Sequence, residues 1–212
     1  MYKRQYQYLL SLLGEDRHLD IKALKLGNRG ADPNDYPYDI GRLKNELTRV
    51  AKNSKWDRHS QLPEGKGLGI ACCRSFLGYT GHVVEVSVTK DGSVSVDNVW
   101  CSIDSGTIVS PDRVHAQVEG ATIMGISQAF YGEMPMKRGK AVHSNFDGFQ
   151  VARMSDAPES INIDIIESNA APGGVGETGI GSFAPALCNA IFAATGKRVR
   201  DLPIKNHDLS WG

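Results

Sequence analysis

His82-Val83-Val84-Glu85-Val86-Ser87-Val88, Lys90-Asp91-Gly92-Ser93 and Val94-Ser95-Val96-Asp97-Asn98-Val99-Trp100 follow one another closely, and their reading decides the fold. Val84, Val86 and Val88 recur at every second position, the period of a strand with one apolar face. The stretch from Val94 to Trp100 alternates back. Asp91-Gly92 between them predicts a hairpin, because such turns require positive φ angles that Gly adopts freely. Two or three antiparallel strands therefore stand at the centre of the chain, expected to have one wet face and one dry face.

The elements around this hairpin follow from their own patterns. Upstream, residues 69–77 read as a strand, entered through Gly65-x-Gly67-x-Gly69. Downstream, Ser110-Pro111-Asp112 is a helix start, with a hydroxyl cap, a proline at the first position and an acid in the first turn. That helix is expected to run to about Tyr131, with Val114, Val118, Ala121 and Gly125 on one stripe. Gln117 and Glu119 are its polar interruptions and, on composition alone, face solvent. Residues 160–168 read as another strand, with Ile161, Ile163 and Ile165 alternating. A last helix spans about Phe183 to Thr195 and closes at Gly196. It is rich in alanine, which predicts tight packing on the sheet. Leu202-Pro203-Ile204 reads as a short edge strand. The fold class is α+β: an antiparallel or mixed sheet with two main helices, 112–131 and 183–195, packed on it.

Residues 1–60 differ from the rest. Residues 6–13 carry a leucine-rich helical side, and Asp32-Pro33-Asn34-Asp35-Tyr36-Pro37 is turn chemistry. Ile40, Leu43, Leu47, Val50 and Ala51 then recur at helical spacing, so this amphipathic helix needs a surface to lie on. Leu62-Pro63-Glu64-Gly65 marks a boundary. The expected organisation is a helical N-terminal arm over 1–60 and one domain over 61–212. An uncovered apolar face on either part predicts self-association as a homodimer.

Composition excludes several functions. The chain has 212 residues, 41% hydrophobic and 23% charged, with a formal net charge of zero. This balance gives no reason to expect nucleic acid or an anionic membrane as partner. No apolar run approaches membrane-spanning length and no signal-peptide core is present, so a cytoplasmic chain is expected. Cys72, Cys73, Cys101 and Cys188 lack metal-clip spacing and read as buried free thiols, with no metal ligands among them. The six histidines are isolated and read as surface or satisfied core residues.

One stretch carries chemistry. Pro172-Gly173-Gly174-Val175-Gly176-Glu177-Thr178-Gly179-Ile180-Gly181 has a single charge, Glu177, on a glycine-rich backbone just ahead of the last helix. On its residues alone it is either a flexible surface turn or a loop that brings main chain and one carboxylate close to a ligand. Gly174-x-Gly176-x-x-Gly179 has the dinucleotide spacing. The chain ends too soon after it for the acidic partner of a parallel unit, and no Gly-Lys-Ser/Thr of a phosphate loop is present.

Together with Ala184-Pro185-Ala186-Leu187-x-Asn189-Ala190 and Leu202-Pro203, this loop resembles the C-terminal end of the molybdenum hydroxylases, the xanthine oxidase and aldehyde oxidoreductase family. The most similar subgroup is the large (β) subunit of isoquinoline 1-oxidoreductase-like enzymes. Asp104-Ser105-Gly106, His115-Ala116-Gln117-Val118-Glu119-Gly120, Ser144-Asn145-Phe146 and Arg153-Met154 fit in the same order, over about residues 42–204. The resemblance implies the fold of a C-terminal molybdopterin-binding domain. It also implies that Glu177 is the base beside a molybdenum held by a pterin dithiolene, during hydroxylation of an aldehyde or N-heterocycle. Gln117 resembles the glutamine that hydrogen-bonds the pterin, and the backbone of Gly174, Val175 and Gly176 approaches the metal's ligands. No protein side chain is expected to bind the metal. Thr178-Gly179 stands where the family often has Pro, which predicts a looser loop.

Family large subunits are several times longer and carry further pterin-binding segments. The resemblance therefore implies three partnerships: molybdopterin held only with a partner chain carrying the missing half, an iron–sulfur small subunit that takes the electrons, and any periplasmic location set by a partner's signal. The alternatives are a truncated, non-catalytic remnant or interaction domain of the same fold without cofactor, and a small domain binding an anion through the glycine loop and Gln117.

Overall fold

In chain order the computed structural model, which describes residues 5–212, begins with helix α1 (Gln5–Leu13) and a bridge between β1 (His18–Leu19) and β2 (Tyr38–Asp39). Helix α2 (Ile40–Asn53) follows, then strands β3 (Lys66–Ser75), β4 (Gly78–Val88) and β5 (Val94–Asp104). Helix α3 (Pro111–Tyr131), a small hairpin of β6 (Met136–Lys137) and β7 (Lys140–Ala141), strand β8 (Ser160–Ile165) and helix α4 (Phe183–Thr195) complete the order. The main sheet runs β3-β4-β5-β8, antiparallel except for the parallel β5–β8 pair. The α+β architecture with a mixed sheet is as the sequence predicts.

The central hairpin closes with Val88 opposite Val94. Gly92 alone takes a positive φ there, +92°, and its N–H donates to Thr89 O at 2.8 Å. The turn is thus longer than an Asp-Gly pair with two positive φ angles. A bulge between Glu85 and Val86 shifts the register, and Asp97 is the extra residue on β5.

The expected wet face is absent. Ten of the eleven β4 residues are buried, because helices cover both sides. On one face Val84, Val86 and Val99 meet Phe183, Leu187 and Ile191 of α4 and Ile126 of α3. On the other, Leu68, Ile70 and Val83 meet Leu47, Val50 and Trp56. The surface that amphipathic α2 requires is therefore the second face of the sheet. Asp39 caps α2, accepting the Arg42 N–H at 3.1 Å. Ser110, read as a hydroxyl cap of α3, makes no side-chain capping bond. Ile204–Asn206 is one 3-10 turn, not an edge strand, and Ile204 is buried.

Close packing of α4 depends on two glycines. A Cβ at Gly67 would stand 2.2 Å from Ala190 O, and one at Gly69 would stand 2.1 Å from Ala186 O and 2.2 Å from Ala190 N. The alternating glycines of β3 thus receive the helix backbone itself, and the small residues of α4 complete the contact.

Glu46 of α2 is one exception within the core. It is fully buried, and neither carboxylate oxygen has a partner among the described residues. Ser102 Oγ donates at 2.8 Å to the Glu46 main-chain oxygen instead. Burial pushes the Glu46 carboxyl well above the ordinary 4.5, with Asp104 of β5 and Asp164 of β8 adding to the shift and Arg42 opposing it. The contribution of this group to stability is complete below the unfolded value near 4.5 and is lost as pH rises through the folded value. Glu85, held low by Arg58, and Asp164, held low by Arg49, act in the opposite sense and lose their contributions as pH falls. Glu46→Leu is expected to stabilise the fold by about 1–3 kcal/mol, since it removes an unsatisfied buried polar group. Urea unfolding of both proteins across pH should retain the acid limb in the variant and lose the alkaline one.

Candidate functional site

The glycine loop is held from beneath at three places. Its first anchor is the β3–β4 turn, where Phe76 and Leu77 take φ of 48° and 70°. Both are left-handed without glycine, a conformation that persists only where surrounding contacts enforce it. Gly174 donates its N–H to Phe76 O at 2.8 Å, and Gly173 donates to Ser105 O at 2.7 Å. Ser105 belongs to the Asp104-Ser105-Gly106 turn that follows β5. Asp104 there accepts the Gly106 N–H at 3.0 Å and a two-point ion pair from Arg42 of α2 at 2.6 and 2.7 Å. Gly106, at φ +72°, leaves room for Ala171 O, which a Cβ would approach to 2.2 Å.

The second anchor is Thr178. It is fully buried, its hydroxyl donates to Gly174 O at 2.6 Å, and its carbonyl accepts from Thr80 Oγ1 at 3.1 Å. The expectation of a looser loop at Thr178 is therefore corrected: the side chain closes the loop on itself, which proline could not do. The third anchor is Ser182, whose Oγ lies 2.8 Å from His82 Nδ1 and 3.0 Å from Thr80 Oγ1. All three of these residues are fully buried. Burial lowers the His82 pKa to about 3, so the ring is neutral and acts as a polar brace under the loop.

Between these anchors Val175, Gly176 and Glu177 arch outward. The Val175 side chain packs with Cys101, Ile103, Val114 and Val118. Gly176 and Glu177 are exposed, and the Glu177 carboxylate makes no hydrogen bond or ion pair with any described residue. Five residues separate Glu177 from Phe183, where α4 begins. Gln117, exposed on α3, reaches this arch: a Cβ on Gly176 would lie 3.7 Å from its Nε2. One helical turn further, Gly179 sits against Ala121, where a Cβ would come within 3.0 Å. The fold thus brings Gln117 and Gly176 together beside Glu177. Gly174 is not presented in the same way, because its N–H bonds to Phe76 O of the β3–β4 turn and its carbonyl accepts from the Thr178 hydroxyl.

Sequence reading misses Thr80, His82, Thr178 and Ser182 as loop supports. For His82 a signal exists, since it shares the alternating face of Val84 and Val86. Among the described residues no three His, Cys, Asp or Glu side chains gather into a metal-ligating group. The exposed arch is bare of side chains at Gly176 and flanked by the Gln117 amide and the Glu177 carboxylate.

Comparison with known proteins identifies the family. Residues 42–158, more than half of the chain, match the family described as molybdopterin cofactor-binding domain. That segment includes Gln117 and ends before the glycine loop. Isoquinoline 1-oxidoreductase subunit beta of Brevundimonas diminuta is 35% identical over 158 residues, 74% of this chain and 20% of the relative. Aldehyde oxidoreductase molybdenum-binding subunit PaoC of Escherichia coli (strain K12) is 35% identical over 134 residues, 59% of this chain and 18% of the relative. The crystal structure of the aldehyde oxidoreductase from Desulfovibrio desulfuricans ATCC 27774 superposes with a TM-score of 0.52 at 28% identity, over 60% of this chain and 15% of that one. The chain thus spans about a fifth of the length of the curated relatives it matches. It belongs to the molybdenum hydroxylase family, as a molybdopterin cofactor-binding-type domain related to the isoquinoline oxidoreductase beta subunit.

Proposed function

We propose that this chain supplies one wall of a molybdenum–pterin site in an oxidoreductase that hydroxylates an aldehyde or an N-heterocycle, the other wall coming from a second chain. One observation carries the reading: an unpaired Glu177 carboxylate stands on a loop braced from below, next to a side-chain-free Gly176 and the Gln117 amide. The bound cofactor supplies the two-electron redox centre. Glu177 acts as the base, accepting a proton at its carboxylate. Gln117 Nε2 donates to the pterin. The Gly176 backbone lies against the cofactor, Val175 pins the arch, and Gly174 shapes the turn. Residues 61–212 form the cofactor-binding unit, and the described part of the 1–60 arm, residues 5–60, supplies helix α2 against its sheet.

Exposure of Gly176 and Glu177 favours a second chain over a self-sufficient site, because a catalytic group works best where water is excluded. The same exposure supports the second reading, an interaction domain of this fold that binds no cofactor. Electrons leave through an iron–sulfur subunit. The four free thiols suit a reducing compartment, so we assign the complex to the cytoplasm. Among the described residues no helix is long and apolar enough to cross a membrane. The test is a dye-coupled assay with an aldehyde and an N-heterocycle. The assembled complex should turn over one class, and the chain alone neither. A metal-loaded complex that oxidises neither removes the reaction assignment.

A further inference from the structure

Three contacts beneath the glycine loop share a fixed number of protons, and counting them assigns each one. Thr80 Oγ1 lies 3.1 Å from Thr178 O, a carbonyl that can only accept. The single Thr80 proton is therefore committed to that carbonyl. Ser182 Oγ lies 3.0 Å from Thr80 Oγ1, so the proton between them comes from Ser182. Ser182 then has none left for His82 Nδ1 at 2.8 Å, and the imidazole donates there. Protons on Nδ1, Ser182 and Thr80 thus fill all three contacts. With the ring proton on Nε2, two protons would have to serve the same three contacts. A buried N–H would also be left without an acceptor, since Nε2 has no partner among the described residues. Cys73 Sγ, 3.4 Å from Thr80 Oγ1, is placed to donate to the second lone pair of that oxygen.

The donors therefore run one way, from His82 through Ser182 and Thr80 to the carbonyl of Thr178. Thr178 passes the constraint on, because its hydroxyl donates to Gly174 O at 2.6 Å and closes residues 174–178 on themselves. Glu177 is the residue just before this closing point. The head of the chain is rigid. His82 lies on strand β4, opposite Ala71 of β3 and Cys101 of β5. Its ring meets Phe183 edge-on, with centroids 6.0 Å apart and planes at 88°. Phe183 opens α4 directly after Ser182, so sheet and helix together hold the ring and the hydroxyl. We propose that His82, with its proton on Nδ1, is a positioning residue for Glu177, acting through Ser182, Thr80 and Thr178 to hold the glycine arch in place. This rests on the reading of Glu177 as the base. His82 is itself fully buried, and its part is to tie a loop-borne carboxylate to a rigid strand.

The experiment joins nitrogen NMR of the full chain to kinetics of the assembled complex, with His82→Leu and His82→Asn. Asn offers an amide N–H where Nδ1–H stood, and Leu offers none. In the parent, long-range nitrogen–proton correlation should show the ring proton on Nδ1 and a bare Nε2. Order parameters of the Gly176 and Glu177 amides should lie near the rigid value of about 0.85, fall below about 0.6 in His82→Leu and recover in His82→Asn. In the complex, His82→Leu should lower kcat about ten- to a hundredfold at unchanged KM, and His82→Asn should regain most of it. A purely structural role would lower the unfolding midpoint of both variants and move neither loop order nor kcat. If His82→Leu does not fold, Ser182→Ala breaks the next link and should loosen the loop in the same way. A ring proton on Nε2, a loop as ordered in His82→Leu as in the parent, or parental kcat from a loosened loop overturns the proposal. A parent complex without turnover defeats only the reading of Glu177 as base, because ring proton and loop order are measured on the chain alone.

Discussion

Glu177→Gln should lower turnover of the assembled complex by about 10²–10⁴-fold while molybdenum content stays at the parent level. The size follows from the role: an amide of the same shape cannot take a proton, and general-base catalysis is worth that range. Retention of metal follows from the geometry. The Glu177 carboxylate has no partner among the described residues, so its replacement breaks no bond that holds the loop. The anchors at Gly174, Thr178 and Ser182 use main chain and hydroxyls, all present in the variant. The loss should appear in kcat more than in KM. Turnover equal to that of the parent refutes the assignment of Glu177 as base.

Gly69→Val should destabilise the fold by at least about 3 kcal/mol, a large part of the 5–15 kcal/mol typical of a domain. The new Cβ would fall inside contact distance of Ala186 O and Ala190 N, which belong to helix backbone and cannot rotate away. Helix α4 must lift from β3, and Leu187, Ala190 and Ile191 leave the core with it. Since Ser182 immediately precedes α4, the glycine loop loses its His82 anchor in the same movement. Ile70→Val, one residue on and facing α2, removes a single methylene and should cost only about 1 kcal/mol. Denaturant unfolding of the two variants separates the helix-contact argument from general sensitivity of β3. Equal losses contradict it.

Wherever period and turn chemistry agree, the fold is legible. The Val84–Val86–Val88 alternation, the Val114–Val118–Ala121–Gly125 stripe and the Gly196 cap each identify their element correctly. The second covered face of the sheet is not legible from β4 alone, because Tyr79, Val83 and Glu85 do not read as a second apolar row. Glu85 is buried only because Arg58 and Asn98 satisfy it. The Phe76–Leu77 turn carries no Gly, Asn or Asp, so its two left-handed residues read as strand. Leu202-Pro203-Ile204 has strand-like residues, yet its chain direction is set by burial of Ile204. At the site, Glu177 and Gly176 stand out in the glycine-rich stretch, and Gln117 only by resemblance. Their supports do not, because Thr80, Thr178 and Ser182 are ordinary hydroxyls whose meaning lies in which carbonyl or ring nitrogen they reach. Glu46 is missed for the same reason, since at helical spacing beside Lys44 and Arg49 it reads as part of a solvated face.

The central claim is that this chain holds cofactor only as half of a site. Molybdenum and released pterin should be quantified in the chain purified alone and in the complex formed with the chain that carries the other half. The account predicts neither in the first preparation and about one of each per complex in the second. No molybdenum and no pterin in either preparation would contradict it and leave a domain of this fold without a cofactor.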